Sequence, residues 1–266
     1  MSDSLYLFGL VLPDTTSLPA GAGVDGVHPL ERLELEGLTA IVSRVSRREF
    51  VGPEAEDRLR ELAWVGPRAL RHQAVIHELM DQGPVISVRF ATLFSDAGAL
   101  RERIARHREA LLVFLARTRD QAEWSVKALY DRKAALARIT EQTLAGDQEA
   151  LRALSPGRRY FEERKRRTVV ESELGATLAD TCRRLYGRLE EMATEACPVR
   201  IQTKDESGLP MEMAANWAFL VAQSALDSFR QTVDALSGEG NPGGLLLRVS
   251  GPWPPYNFSP RLDEPA

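Results

Sequence analysis

The chain has 266 residues, 44% hydrophobic and 27% charged, with a formal net charge of −4. That length lies where single cores stop growing, which favours two domains, and the composition is that of an ordinary globular protein. The negative balance offers no general attraction to phosphate backbones or anionic lipid, which argues against a dedicated nucleic-acid or membrane-surface protein.

The first segment, LYLFGLVL, is a continuous apolar run bounded by Asp3 and Pro13, and reads as a buried strand. A loop over 13–19 follows. Strands are expected near 27–35 and 38–45, with Gly37 in the turn between them. From Pro53 the period changes to about 3.6. Leu59, Leu62 and Ala63 share one face, and Pro67 restarts a helix whose buried stripe includes Leu70, Ala74, Ile76 or His77, and Met80. Gly83 and Pro84 end it. Residues 85–93 are strand-like but broken by Arg89. Ser95 or Asp96 then caps a helix carrying Leu100, Ile104, His107, Leu111 and Leu115.

A second unit opens at 123–129, where Trp124, Val126 and Ala128 alternate with Glu123, Ser125 and Lys127 as in a half-buried strand. A long helix over 160–196 is read from Val170, Leu174, Leu178, Cys182 or Thr181, Leu185, Leu189 and Met192, all on one stripe. Pro198 ends it, and Val199, Ile201 and Thr203 alternate as a strand. A strand over 211–221, a helix over 222–236, a loop over 238–244 and a last strand over 245–249 complete the order. The fold class is therefore α+β in two domains. Residues 1–120 form a mixed α/β unit, and residues 121–266 a modified ferredoxin-like domain whose first crossover carries an inserted long helical section.

Four features invite a chemical reading. Gly21, Gly23 and Gly26 spell GAGVDG and match the dinucleotide pattern GxGxxG, but no helix opens after them, so a flexible loop is expected. His72 and His77 are five apart, whereas a helical metal pair needs three or four, and no metal site is expected at His28, His72, His77 or His107. Arg158, Arg159, Arg164, Lys165, Arg166 and Arg167 form the densest basic run, interleaved with Glu162 and Glu163 in i to i+4 pairs that support a solvated or partner-facing helix. Arg89 points to solvent or meets a buried carboxylate. No catalytic residue, metal ligand or cofactor site emerges.

Cys182 and Cys197 match no zinc or redox spacing, which suits a reducing cytoplasm. Neither a basic leader nor a run of the ~20 apolar residues that a bilayer requires is found. The chain closes on SGPWPPYNF, where three prolines restrict the backbone and Trp253, Tyr256 and Phe258 need a surface to cover. Structural closure on its own domain is expected ahead of recognition of a partner, a proline-type ligand motif being the alternative.

These stretches in order carry a resemblance. LYLFGLV, REF at 48–50, AW at 63–64, RALRHQAVIHELM, VISVRFATLF, EWSVKAL, FEERKRR, MEMAANWAFLV and SGPWPPYNF are similar to successive segments of the GvpL/GvpF family of gas vesicle accessory proteins. The sequence departs at Ser87 and Ala91, where the family pattern has proline and glycine. The resemblance implies a non-enzymatic role in gas vesicle assembly or nucleation. It also implies a cytoplasmic, vesicle-associated protein that binds the shell protein GvpA and other accessory Gvp proteins and limits GvpA aggregation. Arg158, Arg159, Arg164, Arg166 and Arg167 are the candidate partner contact. The competing reading is a nucleotide- or small-molecule-binding enzyme of the ferredoxin-like class.

Overall fold

The computed structural model describes residues 3–15, 17–144, 155–238, 241, 243–260 and 262. The amino-terminal apolar run becomes β1 (Asp3–Val11), buried at every residue after Asp3. Burial on both faces is what a central strand demands, and it explains why this sequence does not alternate. β2 (Leu30–Leu35) and β3 (Leu38–Ser46) form an antiparallel hairpin, and β3 pairs with β1. Two short strands, β4 (Val85–Ser87) and β5 (Leu93–Phe94), also pair antiparallel with β1.

The chain then supplies one helix for each face of β1. After the short turns α1 (Arg47–Phe50) and α2 (Pro53–Arg58) comes α3 (Leu62–Met80), whose Val75, Ile76 and Leu79 pack with Tyr6, Phe8 and Val11. The opposite cluster joins Leu5, Leu7 and Leu10 to Leu100, Ile104, Leu111 and Leu115 of α4 (Ala97–Arg117). The facing of β1 changes parity at an irregularity in its register between Leu7 and Gly9, as an inserted residue does in a bulge. Gly9 is needed there, because a Cβ would lie 2.8 Å from the carbonyl oxygen of Ile86. Asp96 caps α4, its side chain accepting from the Ala99 amide at 2.9 Å.

Several expectations are corrected in this half. α3 begins at Leu62 and runs through Pro67; a proline near the amino end of a helix removes a single ladder bond. Its buried stripe is His72, Val75, Ile76 and Leu79, while Leu62 and Leu70 are 83% and 69% exposed and Ala74 is exposed. The helix carries two apolar stripes, and the aromatic face of β1 selects the one that packs. The stretch around Arg89 is a turn between two short strands, with Arg89 exposed.

The second half contains β6 (Gln121–Tyr130), α5 (Arg132–Leu144), α6 (Pro156–Glu190), β7 (Glu195–Pro198), α7 (Lys204–Ser207), β8 (Glu212–Ala222), α8 (Leu226–Leu236) and β9 (Leu246–Trp253). Its strands lie in the order β7-β8-β6-β9. In α6 the buried residues include Val170, Leu174, Leu178, Thr181, Leu185 and Leu189, the stripe its spacing calls for. The helix ends at Glu190 rather than at Pro198, because the Thr194 amide and hydroxyl both donate to the Leu220 carbonyl and begin the pairing of β7 with β8. Residues 199–203 are accordingly not a strand: Ile201 is exposed and Thr203 caps α7 in a capping box with Glu206. Of the loop over 238–244, residues 239, 240 and 242 lie outside those described.

The chain divides into two compact units, Met1–Glu123 with Pro252–Ala266, and Trp124–Gly251. The tail therefore clusters with the first unit, whereas the expected boundary grouped it with residues 121–266.

Candidate functional site

Glu123 helps to hold the tail. Alternation along β6 places it on the polar face, yet it is 4% exposed. Its carboxylate accepts from the Asn257 amide at 2.9 Å and from Asn257 Nδ2 at 2.6 Å. Burial raises the Glu123 carboxyl above its ordinary value, and the two bonds from Asn257 work against that rise. Tyr256 is pushed up to about 12 by burial, with the Glu123 charge adding to the effect. The signal available in sequence was only that an acid stands inside an otherwise strand-like EWSVKAL.

Of the three tail aromatics, Trp253 is half-buried with its ring edge-on to His77 at 6.0 Å between centroids. Tyr256 is 39% exposed, and Phe258 packs against the α4-side cluster that contains Leu262. Pro254 and Pro255 are buried, and Arg103 of α4 donates to the Leu262 carbonyl.

Beside this tail lies a cavity of about 600 Å³, lined by the turn over 87–94, Arg103 and the tail from Tyr256 to Leu262. The turn is fixed from beneath by a buried polar network. Ala91 N–H donates to the Tyr6 hydroxyl at 3.2 Å, Tyr6 donates to His72 Nδ1 at 2.8 Å, and His72 Nε2 lies 3.1 Å from the Val88 carbonyl. Because Val88 can only accept, the proton sits on Nε2 and Nδ1 accepts from Tyr6. Burial lowers the His72 pKa to about 4 and raises that of Tyr6, so both are neutral near pH 7. This arrangement orders a loop; neither group is poised for proton transfer.

The GAGVDG segment is a turn that closes on itself. Ala22 bridges to Pro29, the Gly23 amide donates to the His28 carbonyl, and Arg71 donates to the carbonyls of Ala20 and Ala22. Gly21 and Gly26 have φ of +89° and +76°, and a Cβ on Gly23 would collide with the Ser43 side chain. The glycines are thus spent on backbone geometry and packing. His28 pairs with Asp25, which raises the imidazole pKa. Among the described residues, no group of three or more His, Cys, Asp or Glu side chains could hold a metal ion, and no helix is long and apolar enough to cross a membrane.

Arg158, Arg159, Arg164, Arg166 and Arg167 all lie in the amino-terminal part of α6, mostly exposed. Tyr160 and Phe161 stand among them at 61% and 70% exposure, their rings edge to face at 5.9 Å.

The family model described as "Gas vesicle synthesis protein GvpL/GvpF" matches residues 4–260. Gas vesicle protein L of a Streptomyces species is 28% identical over 97% of this chain and 94% of its own length. Gas vesicle protein F of the same organism is 29% identical over 96% and 99%. The crystal structure of gas vesicle protein GvpF from an Anabaena species superposes with a TM-score of 0.72 at 19% identity, covering 97% of this chain and 99% of that one. The mixed α/β fold with two antiparallel sheets and flanking helices is shared with that structure.

Proposed function

The chain belongs to the GvpL/GvpF family of gas vesicle synthesis proteins, and from that premise we propose that it is a non-enzymatic accessory protein of gas vesicle assembly. It acts in the cytoplasm, associated with forming vesicles, and engages the shell protein GvpA together with other accessory Gvp proteins. The observation that carries this reading is the family match along residues 4–260, which spans both compact units. Physical chemistry supports it: a subunit destined for a gas-tight wall exposes apolar surface before it polymerises, and such surface aggregates unless covered. The strand order β7-β8-β6-β9 supports reading the sheet of the second half as modified ferredoxin-like. In this reading Trp253, Tyr256 and Phe258 close the fold and take no part in recognition.

Deletion of the chain from a gas-vesicle-producing strain is the test. Vesicle number is expected to collapse and GvpA to move into the insoluble fraction, with both restored by the full chain. Unchanged vesicle number and unchanged GvpA solubility would refute the reading.

A further inference from the structure

In the carboxyl-terminal part of α6 the stripe Val170, Leu174, Leu178, Thr181, Leu185 and Leu189 is buried. Continued toward the amino terminus at the same spacing of three and four, it lands on Arg166 or Arg167, on Glu163, and on Arg159 or Tyr160. Arg159 and Arg166 are half-buried, the other three are exposed, and from Gly157 to Val169 no residue is buried. About four turns, roughly 20 Å of helix, thus present a charged face where the rest of the helix presents its packing face. A helix that is polar all round draws its stability from something other than the core.

The composition of these turns states what that is. Between Pro156 and Val169 the sequence has six basic side chains against two acidic ones, in a chain whose formal charge is −4. The positive charge is therefore local and strongly contrasted with the remainder. Tyr160 and Phe161 add apolar area, which a free solvated helix has no reason to display.

We propose that the amino-terminal turns of α6 are a docking arm for an acidic segment of a partner protein, one that carries apolar side chains to seat against Tyr160 and Phe161. Charge complementarity selects an acidic occupant, since arginine forks match carboxylates. The aromatic pair selects a protein segment over a polyanion, because rings of this size supply the buried anchors of protein interfaces. The inference rests on the assembly reading in one respect only, that the partner belongs to gas vesicle formation.

The test places the photoreactive analogue p-benzoylphenylalanine at position 161, and separately at 160, of the full chain in cells assembling gas vesicles. After irradiation the cross-linked peptide is identified by mass spectrometry. The expected product joins α6 to a segment of another protein in which acidic residues outnumber basic ones. In the variant Arg158→Glu, Arg164→Glu, Arg167→Glu its yield falls at least ten-fold, while the melting temperature stays within a few degrees. Cross-linking to nucleic acid, to lipid, to a second copy of this chain or to a basic segment would overturn the proposal. So would the absence of any product from both positions, or a yield insensitive to charge reversal. If the deletion leaves vesicles unaffected while the acidic-segment product persists, the assembly reading fails and the docking arm stands; the reverse pattern condemns the arm alone.

Discussion

The Glu123 carboxylate holds Asn257 by two hydrogen bonds, at 2.9 Å from the backbone amide and 2.6 Å from the side-chain Nδ2, across 134 positions of sequence. Asn257→Asp replaces the second donor by an acceptor and sets two carboxyls against each other. A loss of about 1–3 kcal/mol at pH 7 is expected, the usual cost of leaving a buried polar group unsatisfied. Near pH 4 the loss shrinks, because one carboxyl can then donate to the other. Urea denaturation followed by tryptophan fluorescence at the two pH values measures both. In the unaltered chain the raised Glu123 carboxyl favours its protonated form in the fold, so its contribution is present at low pH and declines as pH rises through that raised value.

His72 has the opposite sign. Its folded-state pKa of about 4 lies below the ordinary 6.5, so the unfolded chain binds more protons between those values. Its contribution to stability is complete above pH 6.5 and is lost as pH falls toward 4, by on the order of 3 kcal/mol. The stability of the first unit should therefore rise steeply over that window. In His72→Phe the slope flattens, and the Val88 carbonyl and Tyr6 hydroxyl lose their shared partner, costing about 1–3 kcal/mol at pH 7. Hydrogen exchange at Ala91, whose amide donates to Tyr6, should accelerate in that variant.

Among the described residues, two that are not glycine have left-handed backbone, Ala91 at φ +63° and Glu36 at φ +56°. At Ala91 the cost is steric. Ala91→Gly is expected to raise stability by up to about 1 kcal/mol. Glu36 precedes Gly37 in the two-residue turn between β2 and β3, a geometry that asparagine tolerates better, so Glu36→Asn should add several tenths of a kcal/mol by roughly the same argument. Both are read as increases in melting temperature; a decrease in either contradicts the strain argument.

The phase of α3 is open to a paired test. Leu79→Ala empties a fully buried position and should cost about 2–5 kcal/mol, whereas Leu70→Ser, at an exposed position, should change stability by less than about 0.5 kcal/mol. Comparable losses in the two variants would restore the stripe that periodicity alone suggests.

Much was legible in the chain itself. LYLFGLV reads as a buried strand, the stripe from Val170 to Leu189 as a packed helix, and Ser95 or Asp96 as the cap of α4, because these features depend on neighbours within a few residues. The same locality explains the family resemblance, which short segments in fixed order carry without any long-range contact. Tertiary structure decided the rest. Two apolar stripes on α3 are equally periodic, and only the aromatic face of β1 chooses between them. The end of α6 depends on Thr194 finding the Leu220 carbonyl, and the strand expected at 199–203 gives way to one at Glu195–Pro198 for the same reason. Alternation puts Glu123 on the polar face of its strand, and its burial depends on Asn257, 134 positions away. Local sequence determines which elements form and which faces are apolar; which face is buried, and which polar group is buried with it, depends on partners that are distant in sequence.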